Sequence, residues 1–386
     1  LIRYVLPKFT FSLCVYFIKT ILPCIILSSI SACTQQPNTI SQNDQKNLSW
    51  IEQEDSTAAN YIDTVEYILL EAHPDGLFRE IDKLIVKNDK IFIFDFIGRN
   101  QVLVFDRNGK FLYKTGNRGR GPKEYIQLRN FTVDDKFIYL IDNIKHELLL
   151  HDIQNGNFIT KKTLPFVVYD MAVFDNGNYI FSWAVVDGAI LSPGQQPYRI
   201  YITDSDMNIK NSIFPTNEND CSVLSRFSYL THSKGYFVFN TLVSDSIAVF
   251  DRKAPDSVKV YHIDFKNRKA PLEAKNDPER LSGFHYLSET PIMTPKYMIG
   301  QFNEDKYGGQ PFIYDLNRQT VVGTNIIKDT SRFLQKPLAY FDNQIFSLYD
   351  YSTYIFQMKN GLCTLPDSVK KHMDKGDGVL ITYHLK

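Results

Sequence analysis

An internal period of 46 or 47 residues restricts the fold of this chain more than any other feature. After Lys90 comes IFIFDFIGRNQVLVFDRNGKFLYKTG, and after Lys136 comes FIYLIDNIKHELLLHDIQNGNFITKK. Asp95 matches Asp142, Asp106 matches Asp152, and Asn108-Gly109 matches Asn155-Gly156. Each unit reads as a strand, a turn opened by Asp, a second strand, an Asn-Gly turn and a third strand. Apolar residues alternate through these runs as strands require, and Asn-Gly supplies the positive φ of a tight hairpin.

Weaker copies follow. Asn178-Tyr179-Ile180-Phe181 leads to Ile200-Tyr201-Ile202-Thr203-Asp204, and Tyr236-Phe237-Val238-Phe239 leads to Ile247-Ala248-Val249-Phe250-Asp251. Tyr297-Met298-Ile299-Gly300 leads to Phe312-Ile313-Tyr314-Asp315, and a sixth unit opens at Gln344-Ile345-Phe346-Ser347-Leu348. A period of about 40–60 residues with several strands per unit predicts an all-β, six-bladed β-propeller over residues 61–386. The alternative is a sandwich of unrelated hairpins. With 23 Tyr and 28 Phe, 14% of the chain is aromatic, which suits half-buried pleated surfaces. Residues 65–70 read as a leading strand placed to pair with residues 378–383, because an open ring would leave two bare sheet edges.

Gly116, the run Gly119-Arg120-Gly121-Pro122-Lys123-Glu124-Tyr125, the strand ending at Asp142, and Asp152 with Gly156 and Phe158 resemble the NHL-type repeat. Together with the spacing of the later units, they make the body similar to the six-bladed β-propeller lipoproteins of bacteria. That resemblance implies a lipid-anchored binding or scaffold protein of the cell envelope. Some propellers of this fold are lactonases or lyases, so the alternative it implies is a metal-dependent enzyme with hydrolytic chemistry in the central channel.

The N-terminus fits the first implication. Residues 9–32 carry one charge, Lys19, behind Arg3 and Lys8, and end in Ile30-Ser31-Ala32-Cys33. A basic start, an apolar core and small residues at the end make a secretory signal over residues 1–32. Cys after Ser-Ala resembles the lipobox, in which the Cys, here Cys33, is lipidated. An uncleaved transmembrane anchor is the competing reading, since the stretch is long enough to span. Residues 33–60, rich in Gln, Asn, Ser and Thr, read as the lipidated Cys and a flexible tether. No acidic residue follows Cys33 directly, which leans toward the outer membrane, on its periplasmic or its cell-surface side. The whole chain balances 43 basic against 43 acidic groups; without the signal the balance is 40 to 43, a net of −3. That balance argues against a protein whose main business is nucleic acid, which needs a basic face, so the expected partners are the membrane and a protein, peptide or glycan.

Candidate chemistry is sparse. Arg118, Arg120 and Lys123 surround glycines whose N–H groups could form an anion-binding nest, with Glu124 and Tyr125 beside them; the same residues also suit a purely structural crossover. Asp204-Ser205-Asp206-Met207-Asn208 opens like a calcium loop, but Pro215 stands where its bidentate Glu belongs, so a hairpin turn is expected. No HExxH, CxxC, GxSxG or P-loop pattern is present, so no catalytic residue, metal ligand or cofactor is assigned. Two insertions, residues 184–199 and 264–295, interrupt the rhythm and are candidate binding segments. Trp183 flanks the first, and the second carries His285, Tyr286 and a short helical stretch near Pro278.

Overall fold

The computed structural model describes residues 44–51, 60–182, 198–216, 227–241, 243–271, 274, 278–303, 309–322 and 334–386. The signal, Cys33, Trp183 and Cys221 lie outside the described residues. Two strands precede the repeats, β1 (Gln45–Ser49) and β2 (Ile62–Leu69). Blade 1 is β3 (Lys83–Lys87), β4 (Lys90–Asp95), β5 (Gln101–Asp106) and β6 (Phe111–Thr115). Blade 2 is β7 (Leu128–Val133), β8 (Phe137–Asp142), β9 (Glu147–Asp152) and β10 (Phe158–Thr163). Blade 3 is β11 (Asp170–Val173), β12 (Tyr179–Ser182), β13 (Tyr198–Thr203) and β14 (Ile209–Pro215). Blade 4 is β15 (Leu230–Ser233), β16 (Tyr236–Phe239), β17 (Ser246–Asp251) and β18 (Ala254–Asp264). Blade 5 has short inner strands β19 (Tyr286–Leu287) and β20 (Ile292–Met293), then β21 (Tyr297–Asn303), β22 (Gly309–Asp315) and β23 (Thr320–Val322). Blade 6 is β24 (Ala339–Phe341), β25 (Gln344–Leu348) and β26 (Val379–Leu385), with β2 as its outermost strand. Helices α1 (Tyr351–Lys359) and α2 (Asp367–Met373) are inserted between β25 and β26.

The repeated Asp residues act alike. Asp95 accepts the N–H groups of Gly98 and Arg99, Asp106 those of Asn108 and Lys110, and Asp152 those of Gln154 and Asn155. Each short carboxylate satisfies the amides of the turn it opens. Asp204 does the same for Asp206 and Asn208, so the calcium-like sequence is a hairpin turn.

Strand alternation explains the packing. In blade 1, Ile91, Ile93, Leu103 and Phe105 face blade 6, while Phe92, Phe94, Val102 and Val104 face blade 2. Successive side chains point to opposite faces, and both faces of a blade are covered by its neighbours. Central strands are therefore apolar at nearly every position instead of every second one. An apolar cluster fills each of the six junctions between blades.

The ring closes as expected: β2 pairs antiparallel with β26, Val65 opposite Tyr383 and Leu69 opposite Val379. The segment read as a tether, however, contains structure. β1 runs parallel along the outer edge of blade 4, Gln45 opposite Val260 and Ser49 opposite Asp264. Leu48 is fully buried there. Trp50, 5% exposed, enters the junction of blades 4 and 5 against Phe265, Phe302 and Phe312 at 4.9–5.2 Å. Val321 of β23 then donates its N–H to Ile51. Alternation in a polar pentapeptide such as QKNLS is too weak to reveal a strand that buries one side chain.

Two measurements check these contacts. Deleting residues 376–386 removes the partner of both β2 and β25 and should abolish cooperative thermal unfolding by circular dichroism. Trp50→Ala should leave the ring closed but lower stability by about 3–5 kcal/mol in urea titrations, the usual cost of emptying a buried aromatic site.

Candidate binding face and axial channel

Antiparallel order sorts the connections between the two ends of the ring. The turns from first to second strand and from third to fourth lie at one end, the hairpin face. The turns from second to third strand, and the links to the next blade, lie at the other, the crossover face. Residues 116–127, 265–285 and the helical insertion 349–378 are all of the second kind. Residues 183–197 fall between β12 and β13, the same class of connection, and lie outside the described residues. Among the described residues, these repeat-breaking segments thus belong to one end of the molecule.

The channel between the inner strands is filled by a polar lock. Lys83 Nζ donates to Asp170 Oδ1 at 2.6 Å and to Asn130 Oδ1 at 3.1 Å. Lys83 is 5% exposed; Asn130 and Asp170 are fully buried. Asp170 Oδ2 accepts Ser228 Oγ and the N–H groups of Tyr229 and Leu230 at 2.8–3.0 Å, and Asn130 Nδ2 donates to the carbonyls of Tyr169 and Phe227. Side chains of blades 1, 2 and 3 are thereby tied to the start of blade 4. Thr132 Oγ1 meets His232 Nε2 at 3.2 Å, linking blades 2 and 4, and Thr231 Oγ1 donates to the Pro291 carbonyl at 2.7 Å, linking blades 4 and 5. Lys336 pairs with Glu289 at 2.6 Å between blades 6 and 5. At the crossover end the Arg129 guanidinium stacks on Tyr169 at 4.6 Å, with Phe96 and Phe227 each at 5.9 Å. The space left beside Lys83, Ser228 and His232 is a cavity of about 50 Å³, room for a few waters. Burial pushes the Lys83 ammonium below its ordinary value, against the pull of Asp170. It holds the His232 imidazole well below 6.5, helped by Lys83, Arg252 and Lys87.

The Gly119–Tyr125 loop is held by its own side chains. The Glu124 carboxylate accepts the Gly121 N–H at 2.8 Å, and a Cβ on Gly119 would lie 2.0 Å from that carboxylate. Glycine is required there because Glu124 occupies the turn where an outside anion would sit. Lys145 Nζ, from blade 2, donates to the carbonyls of Gly121 and Glu124. Tyr125 is 2% exposed, donates to the Asn100 carbonyl at 3.0 Å, and its phenol is pushed up to about 12 by burial. Arg118 Nε donates to the Ile126 carbonyl, and Lys123 lies 5.9 Å from the Phe158 ring. Arg120 is exposed.

His285 is 2% exposed, edge-on to Phe302 at 5.1 Å, with Nε2 3.0 Å from Arg268. Tyr286 OH accepts from Asn303 Nδ2 at 2.9 Å. Both belong to the inner, blade 5 side of the second insertion, and neither is brought near Arg118, Arg120 or Lys123. Among the described residues, no group of three or more His, Cys, Asp or Glu could hold a metal ion.

The lock residues were not identified from sequence, although Lys83 and Asn130 stand 47 residues apart, the offset of the repeat itself. Removing the counter-charge should be costly. Asp170→Asn strands a buried ammonium and should lose about 3–5 kcal/mol in denaturant titrations. Combining Lys83→Met with Asp170→Leu should recover much of it. His232 gives a pH signature. Its folded value lies below its unfolded value, so its contribution is complete above pH 6.5 and is lost as pH falls toward the folded value. Melting temperature should decline below pH 6.5, and His232→Gln should flatten that decline.

A profile of the family described as "Domain of unknown function (DUF4934)" matches residues 45–375. Among solved structures, "a Putative exported protein" from Bacteroides fragilis NCTC 9343 is similar at 16% identity and a TM-score of 0.71, over 88% of this chain and 100% of that one. Its likeness shows the shared fold. A streptogramin B lyase structure matches 73% of this chain and 79% of its own at 13% identity and a TM-score of 0.39. No curated protein matches the chain.

Proposed function

The chain belongs to the DUF4934 family, and from that starting point we propose that it is a lipid-anchored propeller of the bacterial outer membrane, binding a protein, peptide or glycan on its crossover face. The observation that carries this reading is the division of labour between axis and face. Polar groups that reach the axis are consumed in joining blades, as Lys83, Asn130 and Asp170 are. Residues 116–127, 265–285 and 349–378 contribute no group to that Lys83–Asn130–Asp170 lock and gather at one end.

The signal-like sequence and Cys33 supply export and anchor, and a structural neighbour described as exported supports the same address. The orientation we propose follows from where the chain joins the ring. β1 is parallel to β18, the outer strand of blade 4, which runs toward the crossover face, so Gln45 lies at the hairpin end. About ten residues separate Cys33 from that point, a number that cannot reach beyond about 35 Å in any conformation. The hairpin face then lies toward the membrane and the crossover face away from it, open to partners. Two acyl signals hold such a body stably where one holds it marginally.

Cys33→Ala should move the protein from the membrane to the soluble fraction; retention in the membrane would sink the lipid anchor. With the anchor intact, a lipid-borne quencher should dim a fluorophore on hairpin-face Asn155 more than one on crossover-face Arg120. Equal dimming would overturn the orientation.

A further inference from the structure

We infer that a groove beside the helical insertion docks a peptide segment with apolar side chains flanked by Lys or Arg, an inference that rests on the binding-face reading above. The groove lies on the crossover face, between the link from β2 to β3 and the two ends of the insertion, with a volume of about 530 Å³. That is the size of a ligand cleft. Leu70, Phe78, Leu348, Tyr349 and Met373 form its walls. At its lip Leu77 is 46% and Tyr351 51% exposed. From Tyr351 an apolar stripe continues along α1 through Ile355, which is half-buried against the blade 5–6 core, to exposed Met358, the i, i+4, i+7 spacing of one helical face. Met358 is 45% exposed, and Phe356, on the neighbouring side, 61%. α1 turns Tyr354 and Gln357 inward instead. Nine helical residues span about 13 Å, so groove and stripe form an elongated strip suited to a peptide. Exposed apolar side chains beside a groove and rimmed by charge are what an interaction site presents.

The rim selects the partner's charge. Among the described residues, Glu71, Glu80, Asp350 and Asp377 line the groove against Arg79 alone. Glu71 and Asp350 accept backbone N–H groups, from Phe111 and Thr353. Basic groups beside an apolar anchor complement this field. The walls are preformed, which lowers the cost of binding. His372 Nε2 lies 2.9 Å from the Leu70 carbonyl, Leu70 donates to the Gly378 carbonyl at 3.0 Å, and Tyr354 OH donates to Asp374 at 2.6 Å.

The test uses the whole mature chain and two fluorescein-labelled hexapeptides, Lys-Phe-Lys-Leu-Lys-Phe and its Glu counterpart, followed by anisotropy. The Lys peptide should bind saturably and more weakly as salt rises; the Glu peptide should bind at least tenfold more weakly. Glu80→Lys, and Leu77→Ser with Tyr351→Ser, alter exposed side chains. Each should weaken the Lys peptide roughly tenfold, about 1.4 kcal/mol, with the melting curve unchanged. Equal binding of the two peptides, no saturable binding, or no effect of the variants would overturn the inference. So would Phe356-dependent adsorption of the unlipidated chain to anionic vesicles in place of peptide binding. A failed titration with Cys33-dependent membrane retention intact sinks this inference alone; lost retention with peptide binding intact sinks the membrane anchor alone.

Discussion

Everything in this molecule depends on closing the ring through the pairing of β2 with β26. Each blade buries both faces against neighbours, so a break at any junction exposes two apolar surfaces and not one. The closing strand comes from residues 62–69 and its partner from residues 379–385, with all the other blades between them in sequence. Blade 6 is not complete until this distant pairing forms. Loop-closure entropy grows only slowly with separation, so the pairing is thermodynamically affordable, and the apolar clusters at blades 5–6 and 6–1 form only with it.

The axis adds directional contacts to those non-directional ones. Apolar packing between blades tolerates small sliding, whereas Lys83, Asn130 and Asp170 meet only when three inner strands share one register. A buried ion pair is weak evidence of net stability, because desolvation offsets much of the attraction. Here every oxygen of Asp170 is also hydrogen-bonded, two of the donors being backbone N–H groups of blade 4. The same contacts that hold the register occupy the space between the inner strands.

How much of this was legible depended on whether a residue obeys the repeat. The Asp turn caps, the Asn-Gly hairpins and the closing strands repeat local chemistry, so spacing alone located them. Glu124 and Tyr125 were visible as a constellation, but only geometry shows that the carboxylate fills its own turn. Lys83, Asn130 and Asp170 carry three different side chains on three neighbouring inner strands, so similarity between blades conceals them. β1 and Trp50 act by joining an edge far away in sequence, and α1 and α2 interrupt a hairpin whose two strands still pair. None of these leaves a periodic trace.

That division bears on where recognition can reside. An apolar strand position that repeats from blade to blade packs against a neighbouring blade, and changing it disturbs a junction. A segment that departs from the repeat has been released from that constraint, provided it leaves and re-enters the sheet in register. The insertion between β25 and β26 meets this condition: Leu348 still pairs with Leu380 although some thirty residues separate them. Its own fold is secured by Asp350 capping α1 and by His372 reaching the end of β2. The insertion is thus anchored to the closing strand, the most constrained element of the ring, while its outer side carries exposed Tyr351, Phe356 and Met358. Rigid attachment with an uncovered apolar surface is the combination a binding element requires, because little conformational entropy remains to be lost when a partner arrives.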